Sequence, residues 1–262
     1  MTKTRKCATA EGFYGELTAH YHLLFADWDA ALADQGRVLD RLIAGLAGPG
    51  PKRILDAACG IGTQAIGLAL QGHRVDGSDL SSQAVARATT EARRLGVELS
   101  ARVADMRALP RVIEGRYDIV TVLDNAFAHF LSQAELAAAC AGLFAMLEPG
   151  GLFLASIRDY DGLIQSRPDA TPVRVFDGES ERRLVFQVWD WAEDGASYDV
   201  TLYILRHYRD RLETLAFRTR CRALRRRDLT AALDAAGLQD VQWLEPEKSG
   251  FYQPVVAARR QR

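Results

Sequence analysis

The sequence predicts an α/β fold: a doubly wound, mostly parallel seven-stranded sheet of the Rossmann-like kind, with an antiparallel β insert and an N-terminal helical lid. Three observations carry the prediction. Apolar runs of strand length alternate with helical patterns between residues 52 and 157. The first strand leads into a small-residue turn, Asp56-Ala57-Ala58-Cys59-Gly60-Ile61-Gly62, which opens a helix at Thr63. Beyond residue 170 the rhythm changes to long segments separated by Asp177-Gly178 and Asp194-Gly195, dipeptides of hairpin turns.

The elements follow in order. Residues 11–46 precede the first strand, and Phe13, Tyr14, Tyr21, His22, Phe25 and Trp28 crowd into them. Leu32, Val38, Leu39, Leu42, Ile43 and Leu46 have helical spacing over 30–46, and Gly48-Pro49-Gly50-Pro51 ends that helix. The aromatics read either as packing on the sheet or as a lid, with Tyr21, Phe25 and Trp28 at helical spacing. Strands are expected at 53–56, 73–78, 99–103, 117–123 and 152–157. The fourth is a near-continuous apolar run, as in a central parallel strand. Helices are expected at 63–71, from Ser81 to about residue 95 with Gly96 as the stop, and from Ser132 to residue 148 before Pro149-Gly150-Gly151. Ser132 and Glu135 form a capping-box pattern. Four antiparallel strands are expected at 171–176, 182–191, 198–208 and 211–222, then a helix at 228–236 stopped by Gly237, and strands at 241–244 and 254–259. The chain thus divides into a lid segment (1–50), a core (51–160), the insert (161–224) and a closing segment (225–262) that rejoins the core.

With 262 residues, 48% of them hydrophobic and 26% charged, the chain suits one large α/β domain or a domain with an insert. A net charge of −1 gives no electrostatic pull toward nucleic acid or an anionic membrane. No apolar run approaches the ~20 residues of a membrane helix. Residues 1–10 are basic and polar without the apolar centre of a secretory signal. Cysteines 7, 59, 140 and 221 have neither metal-ligand spacing nor a disulfide pattern, so a reduced, cytoplasmic setting and no metal are expected. Oligomeric state is not in the sequence, and a homo-oligomer is left open.

The glycine turn carries the functional reading. Gly60 and Gly62 allow positive φ and let a ligand lie on the backbone, while the free N–H groups of the next helix point at it. Asp79 ends the second strand 23 residues after Asp56, near the ~20 residues expected of a carboxylate that holds a ribose diol. The third glycine of a dinucleotide motif is missing, since Ala65 stands there. A pyrophosphate is therefore less comfortable than a nucleoside with a neutral or zwitterionic tail. Asp105 follows the third strand, where it can accept from an exocyclic adenine amine; a turn aspartate is the bland alternative. Asp124-Asn125 follows the fourth, at the carboxyl edge where such sheets bind ligands.

Asp56-Ala57-Ala58-Cys59-Gly60-Ile61-Gly62, Gly77-Ser78-Asp79-Leu80-Ser81, Ala104-Asp105-Met106 and Pro149-Gly150-Gly151 resemble the motif series of class I S-adenosylmethionine-dependent methyltransferases. Asp124-Asn125-Ala126-Phe127-Ala128-His129 and Arg158-Asp159-Tyr160-Asp161 further resemble glycine and sarcosine N-methyltransferases. The resemblance implies S-adenosylmethionine as cofactor, S-adenosylhomocysteine as product and a small-molecule acceptor, most readily an amine. It implies that Asp79 with Leu80 holds the ribose, Asp105 and Met106 the adenine, and Ala58, Gly60 and Leu123 the methionine part, under Tyr21 and Trp28. His129, Asn125 and Tyr21 would face methyl transfer. Arg158 would take a substrate carboxylate, with Tyr160 and Tyr252 alongside; its alternative is a structural ion pair with Asp159 or Asp161. An O- or C-methyltransferase on the same scaffold, a nicotinamide-dependent dehydrogenase and a non-catalytic nucleoside-binding scaffold are the rival readings.

Overall fold

The structure, a computed structural model, describes residues 9–178, 181–208 and 211–262. Residues 1–8, with Cys7 and most of the stretch expected not to be a secretory signal, lie outside the described residues.

The central sheet is built from β1 (Arg53–Asp56), β2 (Arg74–Asp79), β3 (Ser100–Val103), β4 (Tyr117–Val122), β5 (Leu147–Ser156), β10 (Leu238–Leu244) and β11 (Val255–Arg260), in the order β10-β11-β5-β4-β1-β2-β3. β11 runs antiparallel to both its neighbours; the pairs β2–β3, β1–β2, β1–β4 and β4–β5 are parallel. Between β1 and β4 the order of connection reverses, which leaves a crevice outside their carboxyl ends. Side chains alternate across this sheet with the two-residue period of a strand. Leu55, Val120 and Phe153 enter the core on one face, with Leu136 and Leu143 of α5 (Gln133–Ala145) and Leu229 of α7 (Arg226–Ala235). Ile54, Ile119 and Leu154 enter the other, with Leu39 and Ile43 of α2 (Trp28–Ala47) and Leu68 of α3 (Thr63–Leu70).

The insert is a four-stranded antiparallel sheet in the order β6 (Arg174–Asp177), β7 (Glu181–Trp191), β8 (Ser197–Tyr208), β9 (Arg211–Arg222). The N-terminal helix α1 (Ala10–Leu17) docks on it, burying Phe13 and Leu17 against Val185, Leu202, Ile204 and Phe217. The insert and the N-terminal segment thus form one apolar unit that roofs the carboxyl edge of the main sheet.

Several expectations need correction. Residues 21–24 form a short 3₁₀ turn and Phe25 is extended, so Tyr21, Phe25 and Trp28 do not share a helix face. Asp27 caps α2 at Trp28, earlier than residue 30, by accepting from Ala30 N–H. α5 stops at Ala145 and β5 starts at Leu147, because Pro149 disfavours helical backbone in the residue before it. The short helix α6 (Tyr160–Ser166) was not expected, since seven residues containing Gly162 carry no helical period. Ser81 caps α4 (Ser82–Arg94), and Ser132 with Glu135 forms the reciprocal capping box.

Candidate active site

The glycine turn is shaped from both sides. Ala57 N–H donates to Thr121 O of β4 and Cys59 N–H to Ser78 O of β2, each at 2.9 Å. Gly62, at φ 96°, starts α3; a Cβ there would sit 2.6 Å from Ile66 Cδ1. Gly60 takes φ 53° and its missing side chain faces open space. Asp79 links the turn to β2. Its Oδ2 accepts from Gly60 N–H and its Oδ1 from Ser81 N–H, both at 2.9 Å. Burial raises the Asp79 pKa, and the N–H donors of Ser81 and Gly60 partly offset that.

A cavity of about 410 Å³ opens beside this turn, lined by Ala57, Ala58, Asp79, Leu80, Asp105 and Met106 among others. Five of the six, all but Ala57, are expected cofactor residues, and they come from the carboxyl ends of β1, β2 and β3. Asp105 is also the turn aspartate of the bland alternative: its Oδ1 accepts from Arg107 N–H at 2.8 Å and its Oδ2 pairs with the Arg107 guanidinium at 2.6 Å. A carboxylate offers about four acceptor positions, so lone pairs remain for a ligand amine.

A second cavity, of about 590 Å³, lies between the carboxyl edge of the main sheet, the N-terminal segment and the insert. Tyr21, Asn125, Arg158 and Tyr252 line it, and Tyr252 is 58% exposed. Tyr14 and His129 line both cavities, and the Tyr14 hydroxyl lies 3.1 Å from His129 Nε2. That pair stands where the two spaces meet. Burial, then the charge of Arg158, lowers the His129 pKa to about 4, so the ring is neutral at pH 7.

Among the described residues Arg158 has no carboxylate in salt-bridge contact. It donates to Gln187 Oε1 at 2.8 Å and stacks over Trp189, 4.7 Å from the ring centroid. Both of its expected structural partners are engaged elsewhere: Asp159 pairs with Arg226 at 3.5 Å, and Asp161 accepts from Arg226 N–H at 3.3 Å. Arg174 lines the same cavity.

Four expected residues line neither cavity; Gly60 meets the nucleoside side only through its hydrogen bond to Asp79. Trp28 packs on Leu32, Ile66 and Ala92 between α2, α3 and α4. Leu123 is buried in the core layer under α2. Tyr160 is fully buried, and its hydroxyl accepts from Asn125 Nδ2 and meets Tyr198 OH, each at 2.9 Å. Asn125 in turn accepts Arg158 N–H at 3.1 Å. Tyr160 therefore orients Asn125, and Asn125 anchors the backbone that carries Arg158. The residues the sequence did not single out are Tyr14 and the pair Gln187 and Trp189. The last two are two apart on β7, hence on one face of the insert. That alternation is written in the sequence, but which face is inward is not.

Known proteins share this fold. Residues 54–151 match the family described as methyltransferase domain. The glycine/sarcosine N-methyltransferase of Halorhodospira halochloris is 30% identical over 193 residues, 69% of either chain. Among solved structures, the sugar N-methyltransferase KedS8 from Streptoalloteichus sp. superposes with a TM-score of 0.73 at 20% identity, covering 92% of this chain and 93% of that one. CalS10 from Micromonospora echinaspora, an amino pentose methyltransferase solved with S-adenosylmethionine, gives 0.68 at 23% identity over 88% and 92%. The chain belongs to the class I S-adenosylmethionine-dependent methyltransferases. Within them it is similar to the glycine/sarcosine N-methyltransferases, and S-adenosylmethionine is its cofactor.

The residues present fit that group. The open side of Gly60, the small Ala57 and Ala58 and the desolvated Asp79 carboxylate make a cradle that wants hydroxyl donors. No helix among the described residues is long and apolar enough to cross a membrane. No group of three or more His, Cys, Asp or Glu among them is placed to hold a metal.

Proposed function

We propose that the enzyme transfers a methyl group to the nitrogen of a small-molecule amine that also carries a carboxylate. The observation that carries the reading is Arg158: a guanidinium on the wall of the larger cavity, stacked on Trp189, bonded to a neutral amide and lacking a carboxylate partner among the described residues. Its planar fork suits a carboxylate. The names of relatives that act on glycine, sarcosine and amino sugars support nitrogen as the methylated atom.

Bound S-adenosylmethionine supplies a methyl group already activated on a sulfonium, so the protein's work is alignment and exclusion of water. Asp79 takes the ribose hydroxyls, Asp105 and the backbone at Met106 the adenine, and Ala58 and Gly60 the methionine part. The neutral Tyr14–His129 pair sets the face at which the amine meets the methyl group. Arg158 fixes the other end of the acceptor. A volume of about 590 Å³ falls in the ~300–1,000 Å³ range of sites for drug-sized ligands, so the acceptor extends past its amine and carboxylate onto Leu17, Leu24, Val185 and Leu202. The buried thiols of Cys59 and Cys140 suit a reducing, cytoplasmic setting, which is part of the proposal.

A panel of amino acids, from glycine and sarcosine to bulky ones, each paired with its carboxamide, tests this through release of S-adenosylhomocysteine. Acids turn over in preference to their amides, and Arg158→Ala lowers kcat/KM for the acids about 10²-fold while leaving the amides little changed. Equal turnover of acid and amide by the wild-type enzyme contradicts the reading.

A further inference from the structure

The reaction needs a proton acceptor, and His129 is a poor one at neutral pH. An amine reaches the site mostly as its ammonium form, and it must lose a proton before its lone pair can attack. Asp124 stands where that proton can go. It follows β4, as Arg158 follows the adjacent β5, and both line the larger cavity. Opposite charges at the ends of neighbouring strands match the two ends of an amino acid.

The setting of Asp124 shows a group held in place with one valence open. Gln64 Nε2 donates to Asp124 Oδ2 and to Gln35 Oε1, each at 2.8 Å, which uses both amide hydrogens and fixes which way the amide faces. Asp124 Oδ1 is buried, and no donor among the described residues meets it in full hydrogen-bond geometry; the Tyr21 phenol is the nearest one able to turn toward it. Its backbone lies at φ 55°, followed by Asn125 at 65°, a left-handed pair that is strained for side-chain-bearing residues. A buried carboxylate oxygen without a donor is costly, and an incoming N–H supplies one.

We propose that the free Oδ1 of Asp124 binds the ammonium of the acceptor and takes the proton the amine sheds before methylation. This rests on the amine reading above. The ammonium N–H bond breaks toward Oδ1, leaving the nitrogen lone pair. The nitrogen then forms its bond to the methyl carbon as the carbon–sulfur bond breaks with its electron pair left on sulfur. The product leaves as a methylammonium, and Asp124 returns its proton to water through the cavity mouth beside Tyr252. Desolvation raises the Asp124 pKa to about 6, while Gln64, Arg158 and the Tyr21 hydroxyl restrain the rise. The groups facing it are Arg158, which stays charged, the phenols of Tyr14 and Tyr21, and Asp56, which its own raised pKa leaves mostly protonated near pH 6; neutral His129 and the cationic Arg174 line the same cavity.

Asp124→Asn is the test. Asparagine keeps the shape and an acceptor for Gln64, and it tolerates left-handed backbone. The variant is expected to keep its melting temperature and its calorimetric affinity for S-adenosylhomocysteine. Its kcat/KM falls about 10²-fold or more for the best amino acid of the panel. The acid limb of the pH profile, centred near pH 6 because activity is lost as Asp124 protonates, disappears. Asp56→Asn, whose carboxyl lines neither cavity, keeps the limb. In the S-adenosylhomocysteine complex, binding of that amino acid weakens while binding of its deaminated acid does not. Unchanged kcat/KM and acid limb overturn the proposal, as does a loss confined to S-adenosylhomocysteine affinity, which assigns Oδ1 to the cofactor's own ammonium. A wild-type enzyme that methylates no amine overturns the amine reading first, and this one with it.

Discussion

Single side chains decide the chemistry at this site, and Asp79 is the first to test. Its carboxylate accepts from Gly60 and Ser81 and still faces the nucleoside cavity. Asp79→Ala removes the expected ribose contacts and loosens the turn, so S-adenosylhomocysteine affinity should fall 10- to 100-fold by calorimetry, the size of one or two hydrogen bonds to a charged group. Undiminished affinity would contradict the assignment. Residues such as Asp79, Ala58 and Met106 were legible because each sits at or just past the carboxyl end of a strand that the apolar pattern locates. Leu123, Trp28 and Tyr160 misled because sequence position does not say whether a side chain points at a cavity or into a layer. Tyr160 is the instructive case: two residues past Arg158, it serves the site through Asn125 from a fully buried position.

Elements reach the site through how closely they pack. α2 crosses α3 with Gly36 against Gly67; a Cβ on Gly36 would lie 2.1 Å from the Gly67 carbonyl oxygen. Gly36→Ala therefore forces the helices apart and should cost about 1–3 kcal/mol or more, read as a lower chemical-denaturation midpoint. A midpoint equal to wild type would show that the crossing is looser than drawn. Trp28, wedged among Leu32, Ile66 and Ala92, belongs to the same layer. Trp28→Ala should lower stability by about 3–5 kcal/mol while the folded protein keeps its affinity for S-adenosylhomocysteine. Loss of affinity without loss of stability would restore Trp28 to the lid. The three long strands of the insert and the short β6 were readable from their strand-like runs and the dipeptides Asp177-Gly178 and Asp194-Gly195. α6 and the 3₁₀ turn at Tyr21 were not, because segments of four to seven residues carry too little periodicity and take their shape from what they pack against.

At the scale of the whole molecule, the carboxyl edge concentrates buried acids, and stability should report it. Asp56 is fully buried under the glycine turn, and desolvation raises its pKa to about 7 although Ala58 N–H and the Thr121 hydroxyl partly restrain the rise. Because the folded form holds this proton more tightly than the unfolded chain, the stability it confers is full below about pH 4. It is lost as pH rises through about 7. Asp56→Asn should therefore match wild type near pH 4 and exceed it at pH 8, by a margin on the order of 4 kcal/mol for three pKa units. A margin independent of pH would contradict the buried charge. His129, with its pKa lowered to about 4, pulls the other way and is unchanged in that comparison. The sheet, its switch point and the nucleoside side were visible in the sequence because they follow from strand spacing and one turn. The acceptor side was not, since it is assembled from the N-terminal helix and the insert, whose docking against each other no local pattern records. A crystal structure of the enzyme with S-adenosylhomocysteine tests the central claim most directly. The ribose should lie on Asp79, with the sulfur facing the Tyr14–His129 pair at the mouth of the larger cavity. A nucleoside away from the glycine turn, or a sulfur turned from that pair, would contradict it.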